Sequence, residues 1–216
     1  MRMRDDYADY RETVSRSFAD WYGSERDSWT GADTNDRVTE FVVRSAPPEA
    51  GGPRRVLDIG CGRGHQTVQF AERLAADVIG LDLLDVWDAP AARRGSARMC
   101  RGDFLSFRDS SMDLVVDNGC LHHQRREEWS AWVRHGRALL RPGGVWVVSC
   151  FLSPVAEVVA RPLPDGRLNW WLTEQALVEL FATAGMTVTN RDEIDRHFRH
   201  RDGYWLKYLV VAFSRE

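Results

Sequence analysis

From Arg55 onward the chain alternates short apolar runs with amphipathic stretches. Runs rich in Val, Ile and Leu fall at 55–59, 77–82, 97–100, 112–117, 145–151, 187–193 and 206–213. Their length and scarcity of polar positions predict strands buried on both faces. Between them, 65–75, 87–94, 127–140 and 173–184 carry apolar residues at helical spacing. Strands separated by helices imply βαβ units and a doubly wound α/β domain with helices on both faces of the sheet. The last two runs leave no room for a helix between them. They predict antiparallel pairing at one edge of a seven-stranded, mostly parallel sheet.

The first fifty residues follow another rhythm. Tyr7, Tyr10, Val14, Phe18 and Trp21-Tyr22 recur every three or four positions, predicting an aromatic-rich helix. A polar stretch from Gly23 to Asp36 interrupts it, and Thr34-Asn35-Asp36 supplies capping residues for a second helix through Val43. The turn-forming run Pro47-Pro48-Glu49-Ala50-Gly51-Gly52-Pro53 then divides the chain. The expected domains are a helical cap over 1–52 and a core over 53–216.

Composition narrows the partners. A formal charge of −3 and no basic stripe with interleaved aromatics give no expectation of nucleic acid. Arg93-Arg94 and Arg125-Arg126 read as solvated helix faces. Lys207 is the sole lysine, and this Arg bias points to a high-GC bacterium. Cys61, Cys100, Cys120 and Cys150 are widely spaced, so neither a disulfide framework nor a metal site is expected. No apolar segment of membrane length follows the polar N-terminus, so the expected location is cytoplasmic and away from membranes.

The chemistry concentrates where the first core strand ends. Asp58-Ile59 leads into Gly60-Cys61-Gly62-Arg63-Gly64 and then a helix, the place where open α/β sheets bind ligands. The spacing is G-x-G-x-G, the third glycine two positions after the second, whereas the dinucleotide fingerprint is G-x-G-x-x-G. A carboxylate two residues before the first glycine opposes a pyrophosphate and suits an ammonium or sulfonium. Asp82 closes the second strand, where a carboxylate can take two ribose hydroxyls. Asp103 follows the third, where one can accept from an adenine amine.

With these residues in this order, the chain resembles the class I S-adenosylmethionine-dependent methyltransferases, which have a Rossmann-like sheet. Met112–Asn118 and Leu140-Arg141-Pro142-Gly143-Gly144 match that family's fourth- and fifth-strand blocks. The resemblance implies that Asp58, Gly60, Cys61, Gly62, Gly64 and Asn118 lie around the methionine end of S-adenosylmethionine. It also implies that Asp82 holds the ribose, Leu83 and Phe104 pack on adenine, and Asp103 binds its amine. In the family, the segment after the fourth strand borders the transferred methyl. This makes His123, with His122 beside it, either a general base or a loop histidine bonded to backbone.

The acceptor is expected to be a small molecule. Asp117-Asn118-Gly119-Cys120 departs from the Pro-Pro-aromatic motif of nucleic-acid amino methyltransferases. Trp21, Tyr22 and Trp29 in the lead-in, and Trp170 and Trp171 after the turn Pro162–Gly166, are candidates for a lid or acceptor wall. Together they loosely resemble the small thiopurine, thiol/halide and tellurite-resistance methyltransferases. Competing readings are a methyltransferase-fold protein that transfers no methyl, such as a cyclase or assembly partner, and an NAD(P)-dependent oxidoreductase. A monomer or a homodimer fits the sequence equally.

Overall fold

The computed structural model describes residues 2–24, 33–47, 54–88, 96–200 and 203–216, with side chains from Asp6 onward except at position 198. Two helices, α1 (Arg2–Gly23) and α2 (Asp33–Ser45), precede the sheet. Strands β1 (Arg55–Ile59), β2 (Asp77–Asp82), β3 (Ala97–Arg101), β4 (Met112–Asn118) and β5 (Leu140–Leu152) are parallel, in the order β3-β2-β1-β4-β5. Helix α3 (His65–Leu74) follows β1, and α4 (Trp129–Leu139) follows β4. After α5 (Glu174–Ala182), whose N-cap Thr173 accepts from the Ala176 N–H, come β8 (Met186–Arg199) and β9 (Trp205–Arg215).

All seven expected strands are present. The antiparallel strand is β9, which pairs with β5 and lies one position in from the edge, with β8 outside it. The expected helix at 87–94 falls largely outside the described residues, and 85–88 has no regular structure.

Two further strands, β6 (Val159–Pro162) and β7 (Leu168–Leu172), which the apolar pattern did not predict, form a hairpin around the turn expected at Pro162–Gly166. Its position follows from register. Phe151 of β5 pairs with Tyr208 of β9 on one side and with Trp171 of β7 on the other. β4 stops pairing at Asn118↔Ser149, so β7 occupies the β5 edge that β4 vacates. The hairpin thus overhangs the carboxyl end of β4.

Alternate residues of each strand feed opposite layers, as the period-two geometry requires. Leu57 and Ile59 join Trp146, Val148 and Phe181 on the side of α4 and α5. Val56 joins Leu114, Phe70 and Phe41 on the side of α2 and α3. Gly136 of α4 sits where a Cβ would meet the Trp146 ring, so α4 seats closely on β5. Although α2 was read with the cap, its Val38, Phe41 and Val42 are fully buried in the sheet layer. Only α1 stands apart, with Val14 and Ser17 its sole buried residues among those described. All four cysteines are free. Among the described residues no helix is long and apolar enough to cross a membrane, and no His/Cys/Asp/Glu group is placed to hold a metal ion.

Candidate active site

The strand order reverses between β1 and β4, opening a crevice at their carboxyl ends. There the chain turns through Gly60 at φ 70° and Gly62 at φ 52°, a region costly for residues with a Cβ. Space is short as well: a Cβ on Gly60 would collide with Cys120 Sγ, and one on Gly62 with the Tyr22 hydroxyl. The Gly60 N–H donates to Leu81 O at 2.7 Å, and the Gly62 N–H to Asp82 Oδ2 at 2.9 Å. Asp82 Oδ1 also accepts from the Leu84 N–H at 2.9 Å. The loop is therefore tied to the end of β2.

Four carboxylates surround this loop. Asp82 and Asp103 face the cavity, while Asp58 and Asp117 are buried behind it. Asp58 accepts from Thr67 Oγ1 of α3 at 2.5 Å, and burial, aided by Asp82 and Asp117, pushes its pKa up to about 7. Asp117 accepts from the Cys120 and Leu121 N–H groups and from Trp132 Nε1, pinning the turn after β4; burial raises it to about 6. Burial also raises Asp82. Asp103 accepts from the Tyr7 hydroxyl at 2.7 Å, with Arg11 at 3.8 Å. Asp58, Asp82 and Asp117 have no cationic partner among the described residues. A pyrophosphate would meet this acidic ring unfavourably, whereas a cationic ligand would relieve it.

The crevice opens into a cavity of about 440 Å³, the size range of small-molecule sites. Its donor side is walled by Ile59–Arg63, Leu81–Leu84, Gly102–Phe104 and Asn118–Cys120. Leu83 and Phe104 line it, Phe104 resting on Trp132 at 4.4 Å between ring centroids. Asn118 Nδ2 donates to Asn35 Oδ1 at 3.0 Å and Gln66 Oε1 at 2.9 Å, joining α2 and α3 in a polar rim. Gly64, at the start of α3, lies behind the wall with Asp58.

The opposite side holds the two histidines, in a short turn at Leu121–His123. His123 Nδ1 lies 2.8 Å from Leu168 O, and since a carbonyl only accepts, Nδ1 carries the proton. The lone pair on Nε2 then faces Arg167 Nη1 at 3.4 Å. Both nitrogens are thus engaged. Burial and the Arg167 charge depress His123 to about 3, which disfavours proton uptake, and its bond to Leu168 O is of the kind expected of a loop histidine. His122 is pushed well down by burial and by His123, Arg167 and Arg196; it bonds the Ser149 backbone, and its Nδ1 has no partner.

Helix α1 lines another side of the cavity. Tyr10 donates to His123 O at 2.6 Å and accepts from the Leu168 N–H at 2.9 Å, and Ser17 donates to Asp165 at 2.7 Å. Trp21 and Tyr22 line the cavity. Trp29 lies outside the described residues. Trp170 and Trp171 do not line the cavity. Adjacent strand residues point oppositely, so Trp170 packs on Trp129 at 5.2 Å and Trp171 against His200 and Tyr204. From that hairpin the cavity instead receives Arg167 and Asn169.

Sequence reasoning also missed Phe18, Phe151, Arg196 and Tyr208, which complete this wall. Phe18 and Tyr7 were legible as helix periodicity. The arginines carry no local signal, because Asp165-Gly166-Arg167 reads as a turn and Arg196 as part of a charged strand.

Comparisons with known proteins agree with this geometry. A family model described as a methyltransferase domain matches residues 56–144. The ubiquinone biosynthesis O-methyltransferase of Roseobacter denitrificans is 30% identical over 182 residues, covering 76% of this chain and 70% of that relative. Among solved structures, the 1,6-didemethyltoxoflavin-N1-methyltransferase of Burkholderia thailandensis, with 1,6-didemethyltoxoflavin and S-adenosylhomocysteine bound, has TM-score 0.85 and 28% identity. That match covers 97% of this chain and 90% of the other. The cyclase SpnF shares the fold at TM-score 0.67 and 20% identity, over 83% of this chain and 80% of its own. With its glycine turn, acidic ring and strand order all in place, the chain belongs to the class I S-adenosylmethionine-dependent methyltransferases, and S-adenosylmethionine is its cofactor.

Proposed function

We propose that this protein methylates a nucleophilic nitrogen, or failing that an oxygen or sulfur, of a small planar molecule held in the half of the cavity away from the glycine loop. The observation that carries the reading is the continuity of the donor crevice with a ring-walled compartment formed by Phe18, Trp21, Phe151 and Tyr208. The N1-methyltransferase likeness over nearly the whole chain supports nitrogen.

In this reading Asp82 takes the ribose hydroxyls with the carboxylate lone pairs that the backbone leaves free. Asp103 accepts from the adenine amine, Leu83 and Phe104 flank the base, and Gly60, Cys61, Gly62 and Asn118 border the methionine end. Asp58 and Gly64 act from behind the wall by shaping the loop. Residues 1–52 contribute α1 as the lid, while α2 belongs mechanically with the core. When bound, S-adenosylmethionine supplies a methyl carbon already activated by its sulfonium. The chain's own contribution is alignment and exclusion of water, and positioning of two reactants is worth roughly 7–11 kcal/mol of barrier. His123 acts as a positioning residue, fixing Arg167 and β7.

The test is incubation with methyl-labelled S-adenosylmethionine and a panel of fused heterocycles, thiopurines and phenols, 1,6-didemethyltoxoflavin included. Labelled small-molecule product with matching S-adenosylhomocysteine is expected. Cofactor binding without S-adenosylhomocysteine from any acceptor would overturn the reading in favour of a protein that transfers no methyl.

A further inference from the structure

Two guanidinium groups flank the acceptor compartment without matching negative charge in its wall. Arg167 is 3% exposed, its carbon centre 4.1 Å from the Phe18 ring, and its Nε has no hydrogen-bond partner among the described residues. Among the described residues its one carboxylate neighbour, Asp165, is 4.0 Å away and does not line the cavity. Arg196 enters from β8 and lies over Phe151 at 5.0 Å and Tyr208 at 4.8 Å, its Nε also without a partner among the described residues. It pairs with no carboxylate among the described residues. Arg167, Arg196 and His122 all line this one cavity, and both arginines lower the His122 pKa. Buried donors left unsatisfied are costly, and buried cations more so, unless a ligand completes them.

We propose that the acceptor is recognised as an anion: a planar molecule with an acidic ring N–H or O–H, ionised in the site, its negative edge facing Arg167 and Arg196. This rests on the methyl-transfer reading above and names its substrate class. It also accounts for the lack of a competent base, since His122 and His123 are both held neutral. The acceptor's proton leaves to solvent on binding. The ring lone pair then forms the bond to the methyl carbon while the carbon–sulfur bond breaks, its electron pair staying on sulfur. Anion and sulfonium become a neutral methylated product and a thioether, so the product loses its hold on the arginines.

The probe is lumazine, a fused bicyclic dione whose neutral and ionised forms differ in absorption, titrated against the protein loaded with S-adenosylhomocysteine. Bound lumazine is expected to ionise about one pH unit or more below free lumazine. Arg196→Gln and Arg167→Gln should each weaken the bound anion by about tenfold or more. Arg196→Lys should retain part of the shift, and S-adenosylhomocysteine affinity should stay within about twofold in all three, which also reports folding. Lumazine that binds with its solution ionisation unchanged, or fails to bind, overturns the proposal. So does arginine loss that weakens S-adenosylhomocysteine instead, which would assign these groups to the cofactor. Failure of the unsubstituted protein to bind S-adenosylhomocysteine would overturn the methyltransferase site and this proposal together.

Discussion

The donor half of the cavity comes mainly from one run of chain, the strand ends between Asp58 and Asn118, where Asp82 and Asp103 line it beside Arg63 and Arg11. The acceptor half gathers α1, the turn after β4, the end of β5, the β6–β7 hairpin, β8 and β9, and presents arginines among rings. In the proposed reading, Asp82 and its neighbouring carboxylates meet the cationic donor, while Arg167 and Arg196 meet the acceptor. The donor half is fixed by backbone: Asp82 and Asp117 each accept from two or more main-chain N–H groups. The acceptor half is fixed by side chains, with Tyr10, Ser17 and His123 bridging segments far apart in sequence. Rigidity on one side and side-chain adaptability on the other suit a constant cofactor and a variable acceptor.

The largest effect should come from Asp82→Ala. Removing a carboxylate that receives two backbone donors should weaken S-adenosylmethionine by roughly 100-fold or more, measured by calorimetry, while lumazine binding responds far less. Next is Gly60→Ala, which meets both the positive φ and Cys120 Sγ. A loss of about 2–3 kcal/mol in urea unfolding is expected. Adding Cys120→Gly should recover the steric part and leave the backbone part.

Tyr7→Phe should act more mildly. It frees Asp103 from the lid at the cost of one hydrogen bond, so cofactor release should quicken by about three- to tenfold in stopped-flow measurements. An unchanged release rate would mean that α1 does not gate the donor half.

The smallest effect is in pH. Asp58 and Asp117 stand at about 7 and about 6 in the folded protein, against about 3.9 for an unfolded aspartate. The folded state thus holds protons that the unfolded chain has released. Stability of the cofactor-free protein should fall as pH rises from about 4 to about 7. The cationic donor favours the ionised carboxylates, so its preference over S-adenosylhomocysteine should grow across the same window. A flat preference would place these charges out of reach of the sulfonium.

The same contrast explains what the sequence disclosed. Strand-end carboxylates and glycines at fixed offsets are local facts, and Asp82, Asp103, Leu83 and Phe104 all reach the cavity. Asp58 was legible as a motif residue, but its burial behind the loop depends on Thr67, nine residues onward. The β6–β7 hairpin was hidden because four residues ending in Pro162 carry little strand pattern. Trp170 and Trp171 drew attention by residue type, yet alternation turns Trp170 onto Trp129, and Trp171, on the face of Asn169, packs against His200 and Tyr204, leaving Asn169 and Arg167 to line the cavity. His123 has the residue type of a base and the burial of a structural group, and burial can be judged only after folding.

The most direct measurement of this division of charge compares the affinity of lumazine anion for protein loaded with sinefungin, a cationic and unreactive cofactor analogue, and with S-adenosylhomocysteine, whose sulfur is neutral. The opposed halves should make the anion bind about three- to tenfold tighter beside the cationic analogue, an advantage that Arg196→Gln reduces little because it belongs to the donor. Equal affinity in the two loaded forms would contradict an acceptor held as an anion against a cationic methyl donor.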